Sequence, residues 1–209
     1  MYKGIAGSEG IGIGKVVIIE DHDITIETKH VPETDSEIAR LQEAIEKFVE
    51  ITNKMADKMD ETVGKKDADI LRGHIQMLQD PMIEEQISSL IVAEKITAEM
   101  AVDQVLEQTA EMFSQIPDEL LQQRATDFRD IKARMIKLLM GIEDVDISQV
   151  PAGTVLVAKD LTPSMTAGIK PENIEGILTE MGGKTSHSAI LARAMEIPAV
   201  LSIEGICDI

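Results

Sequence analysis

From Ile38 the apolar residues advance by three and four: Ile38, Leu41, Ile45, Phe48, then Met55 and Met59. Those steps trace one face of a helix, and the near-heptad repeat suits side-by-side packing; Thr52 breaks the seam. Asp35 or Ser36 can cap the start and Gly64 lies at the stop. The same pattern predicts a second helix over about 67–78, ended before Asp80-Pro81, and a third over about 82–92. A fourth begins near Thr97, turns Val102, Val105, Leu106, Met112 and Phe113 inward, and stops before Pro117. A fifth covers about 118–140, with Gly141 at its end. Five helices with short connections predict an antiparallel bundle.

The two ends read differently. Lys15-Val16-Val17-Ile18-Ile19 is too short for a helix and rich in β-branched residues, so it predicts a strand. Ile24-Thr25-Ile26 predicts a short extended piece, and Pro32 then breaks the chain. After the helices, Thr154–Ala158, Ile174–Thr179 and Ala199–Ile203 predict strands, with a helix over 186–195 that stops before Pro198. Of the 14 glycines, only Gly64, Gly73 and Gly141 lie between residues 30 and 141. The pattern therefore predicts a mixed α and β chain: a β/α domain from 1–30 and 143–209, interrupted by a helical insertion over 31–142.

Composition narrows the function. Twenty basic against 38 acidic residues give the 209-residue chain a net charge of -18. That argues against general binding of a nucleic-acid backbone and permits a basic protein partner. The single cysteine, Cys207, excludes an intrachain disulfide and reads as a packing residue. No apolar run reaches the ~20 residues of a membrane span, and no signal peptide is evident, so a cytoplasmic place is expected. Three Phe, one Tyr and no Trp leave no aromatic stacking platform. No Cys/His spacing suggests a metal site.

The chemistry concentrates in Met181-Gly182-Gly183-Lys184-Thr185-Ser186-His187-Ser188, a strand that turns through two glycines into a helix. His187 falls in the first helical turn, beside the hydroxyls of Thr185, Ser186 and Ser188. Free N–H groups and the positive end of the helix dipole favour an anion there. Neutral imidazole is abundant near pH 7 and is a ready nucleophile. Its second ring nitrogen needs a partner to set the tautomer, and Thr166, in the preceding Asp160–Thr166 loop, is the candidate. The plainer alternative is ordinary helix capping with His187 as a bystander. Gly10-x-Gly12-x-Gly14 lacks the spacing of a dinucleotide fingerprint and reads as a turn into a strand.

Gly-Gly-Lys-Thr-Ser-His-Ser-Ala-Ile-Leu-Ala-Arg at 182–193, followed by Glu196-Ile197-Pro198-Ala199-Val200, resembles the phosphohistidine domain of the phosphoenolpyruvate-utilising enzymes. Gly4–Ile11, Gly73–Pro81, Arg124–Ile131 and Asp160–Ser164 are similar to the amino-terminal half of the Enzyme I family of the bacterial sugar phosphotransferase system. The similarity covers essentially the whole chain in order.

The resemblance implies a swivelling phosphohistidine domain interrupted by a helical subdomain that docks the phosphocarrier protein HPr. It implies that His187 carries the phosphoryl group on Nε2, with Gly183, Lys184, Thr185, Ser186 and Ser188 positioning it. It assigns His74, Met77, Asp80, Met82, Ile83 and Arg124 to the HPr surface. It also implies that phosphoenolpyruvate, magnesium and the dimer contact belong to a barrel domain absent from these residues. The chain is thus expected to be a monomeric fragment that binds no metal and exchanges phosphoryl only with HPr.

Three positions depart from the family pattern: Lys184 stands where Arg is common, and Lys65 and Lys66 where acidic residues are. The alternative is the phosphohistidine domain of a dikinase or phosphoenolpyruvate synthase, which would carry a nucleotide-binding region ahead of the motif. A third reading is a helical interaction module without chemistry. His22 and His30 receive no role.

Overall fold

The computed structural model describes residues 2–19, 24–26, 29–142 and 147–208; His22 lies outside them. The chain divides into two compact units, one of residues 1–23, 58–68 and 145–209, the other of 24–57 and 69–144. Residues 58–68, the hairpin between the first two helices, thus cluster with the first unit although the pattern places them inside the 31–142 helical span.

The second unit is the helical bundle. It contains α1 (Asp35–Thr62) as far as Asp57, α2 (Lys65–Leu78) from Asp69, α3 (Pro81–Glu94), α4 (Ala98–Ser114) and α5 (Glu119–Met140). Leu41, Ile45 and Phe48 of α1 join Ile87, Ile91, Val102, Leu106, Phe128 and Ile131 in its aliphatic core. Local signals set the ends. Asp80 caps α3 by accepting from the Met82 N–H at 2.8 Å, with Pro81 in the first turn. Asp118 caps α5, accepting from the Leu121 N–H at 3.0 Å, and Gly141 closes it. Thr97 makes no side-chain cap for α4; the buried carboxylate of Glu37, on α1, accepts from the Ala98 N–H at 2.9 Å instead. Met112, expected inside, is 63% exposed. Ile24 and Ile26 form no strand and pack against the helical core.

The first unit holds a five-stranded sheet, β1 (Ile5–Ser8), β2 (Lys15–Ile19), β3 (Thr154–Ala158), β4 (Ile174–Thr179) and β5 (Ala199–Leu201), in the order β1-β5-β4-β3-β2. All neighbours are parallel except β1, which runs antiparallel to β5. Two elements escape the hydrophobic pattern: β1, whose sequence Ile-Ala-Gly-Ser carries little β preference, and the single turn α6 (Pro163–Thr166). Helix α7 (His187–Ala194) lays Ala189, Leu191 and Ala192 against Leu156, Ile177, Ala199 and Leu201 of the sheet. Val157, Ile203 and Ile206 form a smaller cluster that includes Cys207 at its edge. Strand β5 stops at Leu201, short of the expected Ile203, because Ser202 takes a left-handed conformation (φ 56°).

Candidate functional site

Strand β4 ends at Thr179, and Gly182 then turns the chain at φ +101°, a conformation that suits glycine. Its carbonyl accepts a hydrogen bond from the Ser202 hydroxyl. The Ser186 N–H returns to the Gly183 carbonyl at 3.0 Å, and the Ser186 hydroxyl caps α7 by accepting from the Ala189 N–H at 3.3 Å. His187 is therefore the first residue of the helix, within the first turn that the sequence predicts, and it is half-buried.

Thr166 lies at the end of the α6 turn, fully buried, and its Oγ1 is 3.1 Å from His187 Nε2. The pair predicted from sequence does meet, but on the other side of the ring: the hydroxyl contacts Nε2 itself, not the nitrogen opposite. Thr166 Oγ1 also donates to the Pro163 carbonyl at 2.8 Å. A hydroxyl has one proton, and a carbonyl can only accept. The arrangement that satisfies both contacts makes Nε2–H the donor to Thr166.

The flanking hydroxyls divide into two roles. Ser188, expected beside the anion, is fully buried; its hydroxyl donates to Asp160 Oδ1 at 2.9 Å. Asp160 also accepts from the Leu161 N–H at 2.8 Å, so Ser188 ties α7 to the loop before α6. The physical reason is helical direction: one residue past His187, the side chain points to the protein interior. Gly183 is partly exposed, and Lys184 and Thr185 are exposed. Asp160 and Arg193 complete the local framework; Arg193 donates to the carbonyls of Gly7 at 2.7 Å and Lys184 at 3.0 Å. Neither role is marked by residue spacing in the sequence.

Cys207 is remote in character from this chemistry. Burial, with the Glu180 and Asp208 carboxylates beside it, pushes its thiol above the ordinary range, which disfavours the reactive thiolate. Among the described residues no group of three or more His, Cys, Asp or Glu is gathered that could hold a metal ion. Among the same residues no helix is long and apolar enough to cross a membrane.

The helical unit holds the second group of sequence candidates, and it separates them. Asp80 and Arg124 are exposed and Met82 is 66% exposed. Met77 is half-buried, its sulfur 3.6 Å from Arg124 Nη1. His74 and Ile83, expected at the surface, are buried. Ile83 belongs to the bundle core. His74 lies between two α5 carboxylates, Nε2 3.4 Å from Asp127 and Nδ1 3.7 Å from Asp130. Asp127 in turn is 3.6 Å from Arg124. His74 thus packs behind the exposed Arg124 rather than beside it. Between α3 and α4 runs a groove of about 720 Å³ lined by Met82, Glu85, Leu90, Val105 and Met112 among others.

The model of the N-terminal domain of PEP-utilising enzymes matches residues 3–124, and that of their mobile domain matches residues 150–209. The phosphoenolpyruvate-protein phosphotransferase of Mycoplasma capricolum is 36% identical over 207 residues, 99% of this chain and 36% of that protein. That of Haemophilus influenzae is 36% identical over 203 residues, 96% of this chain and 35% of its own length. That of Bacillus subtilis is 36% identical over 203 residues, 97% of this chain and 36% of its own length. The chain therefore spans about a third of these relatives. Among solved structures, an NMR structure of an Enzyme I (nEIt) superposes with a TM-score of 0.85 at 38% identity, covering 99% of this chain and 84% of that one. The N-terminal domain of a nitrogen Enzyme 1, 22% identical with a TM-score of 0.67, shares the fold.

Proposed function

The chain belongs to the PEP-utilising enzymes, and from that premise we propose that it is the phosphoryl-carrying N-terminal part of an Enzyme I, acting in the cytoplasm through His187 with HPr as partner. The observation that carries this reading is the placement of His187 as the first residue of α7, in the segment matched by the mobile-domain model, with its ring engaged by Thr166.

Transfer between two histidines needs little covalent help from the protein; positioning and charge stabilisation dominate. A lone pair of His187 attacks the phosphorus of phospho-HPr as the bond to HPr's histidine breaks. The leaving imidazole keeps that electron pair, and each ring retains a proton on its nitrogen opposite phosphorus. Backbone N–H groups at the start of α7, with Gly183, Lys184, Thr185 and Ser186, receive the phosphoryl oxygens. Attack from Nε2 requires the proton on Nδ1, so the ring first exchanges the tautomer that its contact with Thr166 favours. Ser188 serves by fixing the helix rather than by touching phosphate.

The helical unit, within residues 31–142, is the proposed dock. Asp80, Met82, Arg124 and the half-buried Met77 offer the contact surface, next to a methionine-bearing groove whose flexible side chains suit a protein partner. His74 and Ile83 support that surface from beneath. Phosphoenolpyruvate and magnesium are assigned to the part of the relatives that these residues do not span.

The test is transfer of label from phospho-HPr to the 209-residue chain, with His187→Ala alongside. An acid-labile, alkali-stable label on the wild type alone supports the reading. Binding of HPr by both proteins with label on neither leaves a docking module and removes the carrier role. A folded sample that neither binds HPr nor takes label overturns the assignment and returns the dikinase-type alternative.

A further inference from the structure

We propose that Arg193 is the positioning residue that holds the Gly183–Ser186 loop, and through it His187, in the geometry that accepts phosphate; this rests on the reading of His187 as the phosphoryl carrier.

Arg193 stands in the last turn of α7, and its side chain runs back along the helix, as long helical side chains do. The planar guanidinium then bridges two carbonyls from distant parts of the chain, Gly7 through Nη1 at 2.7 Å and Lys184 through Nη2 at 3.0 Å. Gly7 is the point at which the edge strand slips. Ala6 pairs with Val200 and Ser8 with Ala199, so Gly7 has no register partner across the ladder. Bulges of this kind redirect backbone groups away from the ladder. A Cβ on Gly7 would lie 2.8 Å from Leu201 Cδ1, so a larger residue there would have to push the buried Leu201 side chain aside. Arg193 thus takes up the carbonyl that the bulge leaves over and fastens the loop before His187 to it.

The loop needs such a tie. Two successive glycines give it a large conformational freedom in the absence of restraint. Its other bonds hold its ends: Ser202 to the Gly182 carbonyl, and Ser186 to the Gly183 carbonyl and the start of the helix. Arg193 holds its middle. Helix α7 does not depend on this contact, because Ala189, Leu191 and Ala192 are buried and Ser188 is bonded to Asp160. Loss of Arg193 therefore loosens the anion-receiving backbone and leaves the fold in place. Lysine cannot substitute, since a single ammonium does not present the two-pronged fork that spans both carbonyls.

The experiment compares wild type, Arg193→Ala and Arg193→Lys by single-turnover transfer from phospho-HPr, with thermal melting and backbone amide exchange at Lys184–His187 measured on each. We expect acceptance at saturating HPr to slow by roughly 10- to 100-fold in both variants, the loss typical of small misplacements of a reacting group. The HPr concentration at half-saturation should stay within about twofold, and amide exchange of the loop should quicken while that of β3 and β4 does not. Wild-type rates in both variants, or full rescue by lysine, overturn the inference. So does a loss of rate that disappears when melting temperature is matched by cooling. If the wild type itself takes no label, the carrier reading fails, and the amide exchange still decides: unchanged protection at Lys184–Ser186 in Arg193→Ala overturns the tie on its own.

Discussion

Thr166 sits between the Pro163 carbonyl at 2.8 Å and His187 Nε2 at 3.1 Å with one proton to give. The carbonyl takes it, so the neutral ring should rest with its proton on Nε2. Thr166→Val keeps the shape of the side chain and removes both bonds. Long-range nitrogen–proton NMR at about pH 8.5, above the ordinary imidazole range, should show the Nε2–H form dominating in the wild type and a shift toward Nδ1–H in the variant. A wild type resting on Nδ1–H would reverse the direction of the hydrogen bond assigned here. The pairing of His187 with Thr166 was legible from the motif and the preceding loop, but the side of the ring was not, because sequence carries no distances. His74 shows a signal that was present and unread. Leu71, His74 and Leu78 are spaced by three and four, and both leucines are fully buried, so the histidine shares the buried face of α2. Its assignment to the surface came from the family resemblance, not from this spacing.

At the scale of elements, the helices were readable because each repeats its apolar stripe over several turns. Strand β1 and the α6 turn were not, since four residues show no period and β1 is defined by its pairing with β5 at the far end of the chain. The interruption at Thr52 in the α1 stripe also has its reason outside α1. Thr52 is fully buried, donates to the Phe48 carbonyl at 2.6 Å and accepts from Arg134 Nη2 at 2.6 Å. The Arg134 guanidinium lies 4.2 Å from the centre of the Phe48 ring, and the residue is buried on α5. The pattern read from α1 alone would favour replacing this threonine with an apolar residue. The structure predicts the opposite. Thr52→Val removes an acceptor from a buried cation and should destabilise the chain by about 1.5–3 kcal/mol, despite the added hydrophobicity. Urea unfolding of the two proteins measures it; equal or greater stability in the variant would show that Arg134 does not rely on Thr52. The double variant Thr52→Val with Arg134→Met should recover much of the loss, because replacing both partners with apolar groups leaves neither unsatisfied.

Over the whole molecule, the net charge of -18 says nothing about fold but predicts how the chain meets its proposed partner. An excess of carboxylates produces a field that extends about a Debye length, roughly 30 Å at 0.01 M salt and 3 Å at 1 M. A basic face on the proposed partner would be drawn in through that field before any contact forms, so charge would act mainly on association. In the proposed complex, lifetime would depend on the closely packed surface, to which Met82 and the other groove residues would supply apolar contact. Stopped-flow mixing of the chain with HPr should therefore show the association rate falling about tenfold or more between roughly 0.02 and 0.5 M salt, with the dissociation rate changing about threefold or less. Glu85 lines the groove, so Glu85→Gln should lower the association rate at low salt and have little effect at high salt. An association rate flat in salt would restrict the acidic excess to solubility. A salt effect carried mainly by dissociation would place the charges inside the packed contact, as direct ion pairs, rather than in the field around it.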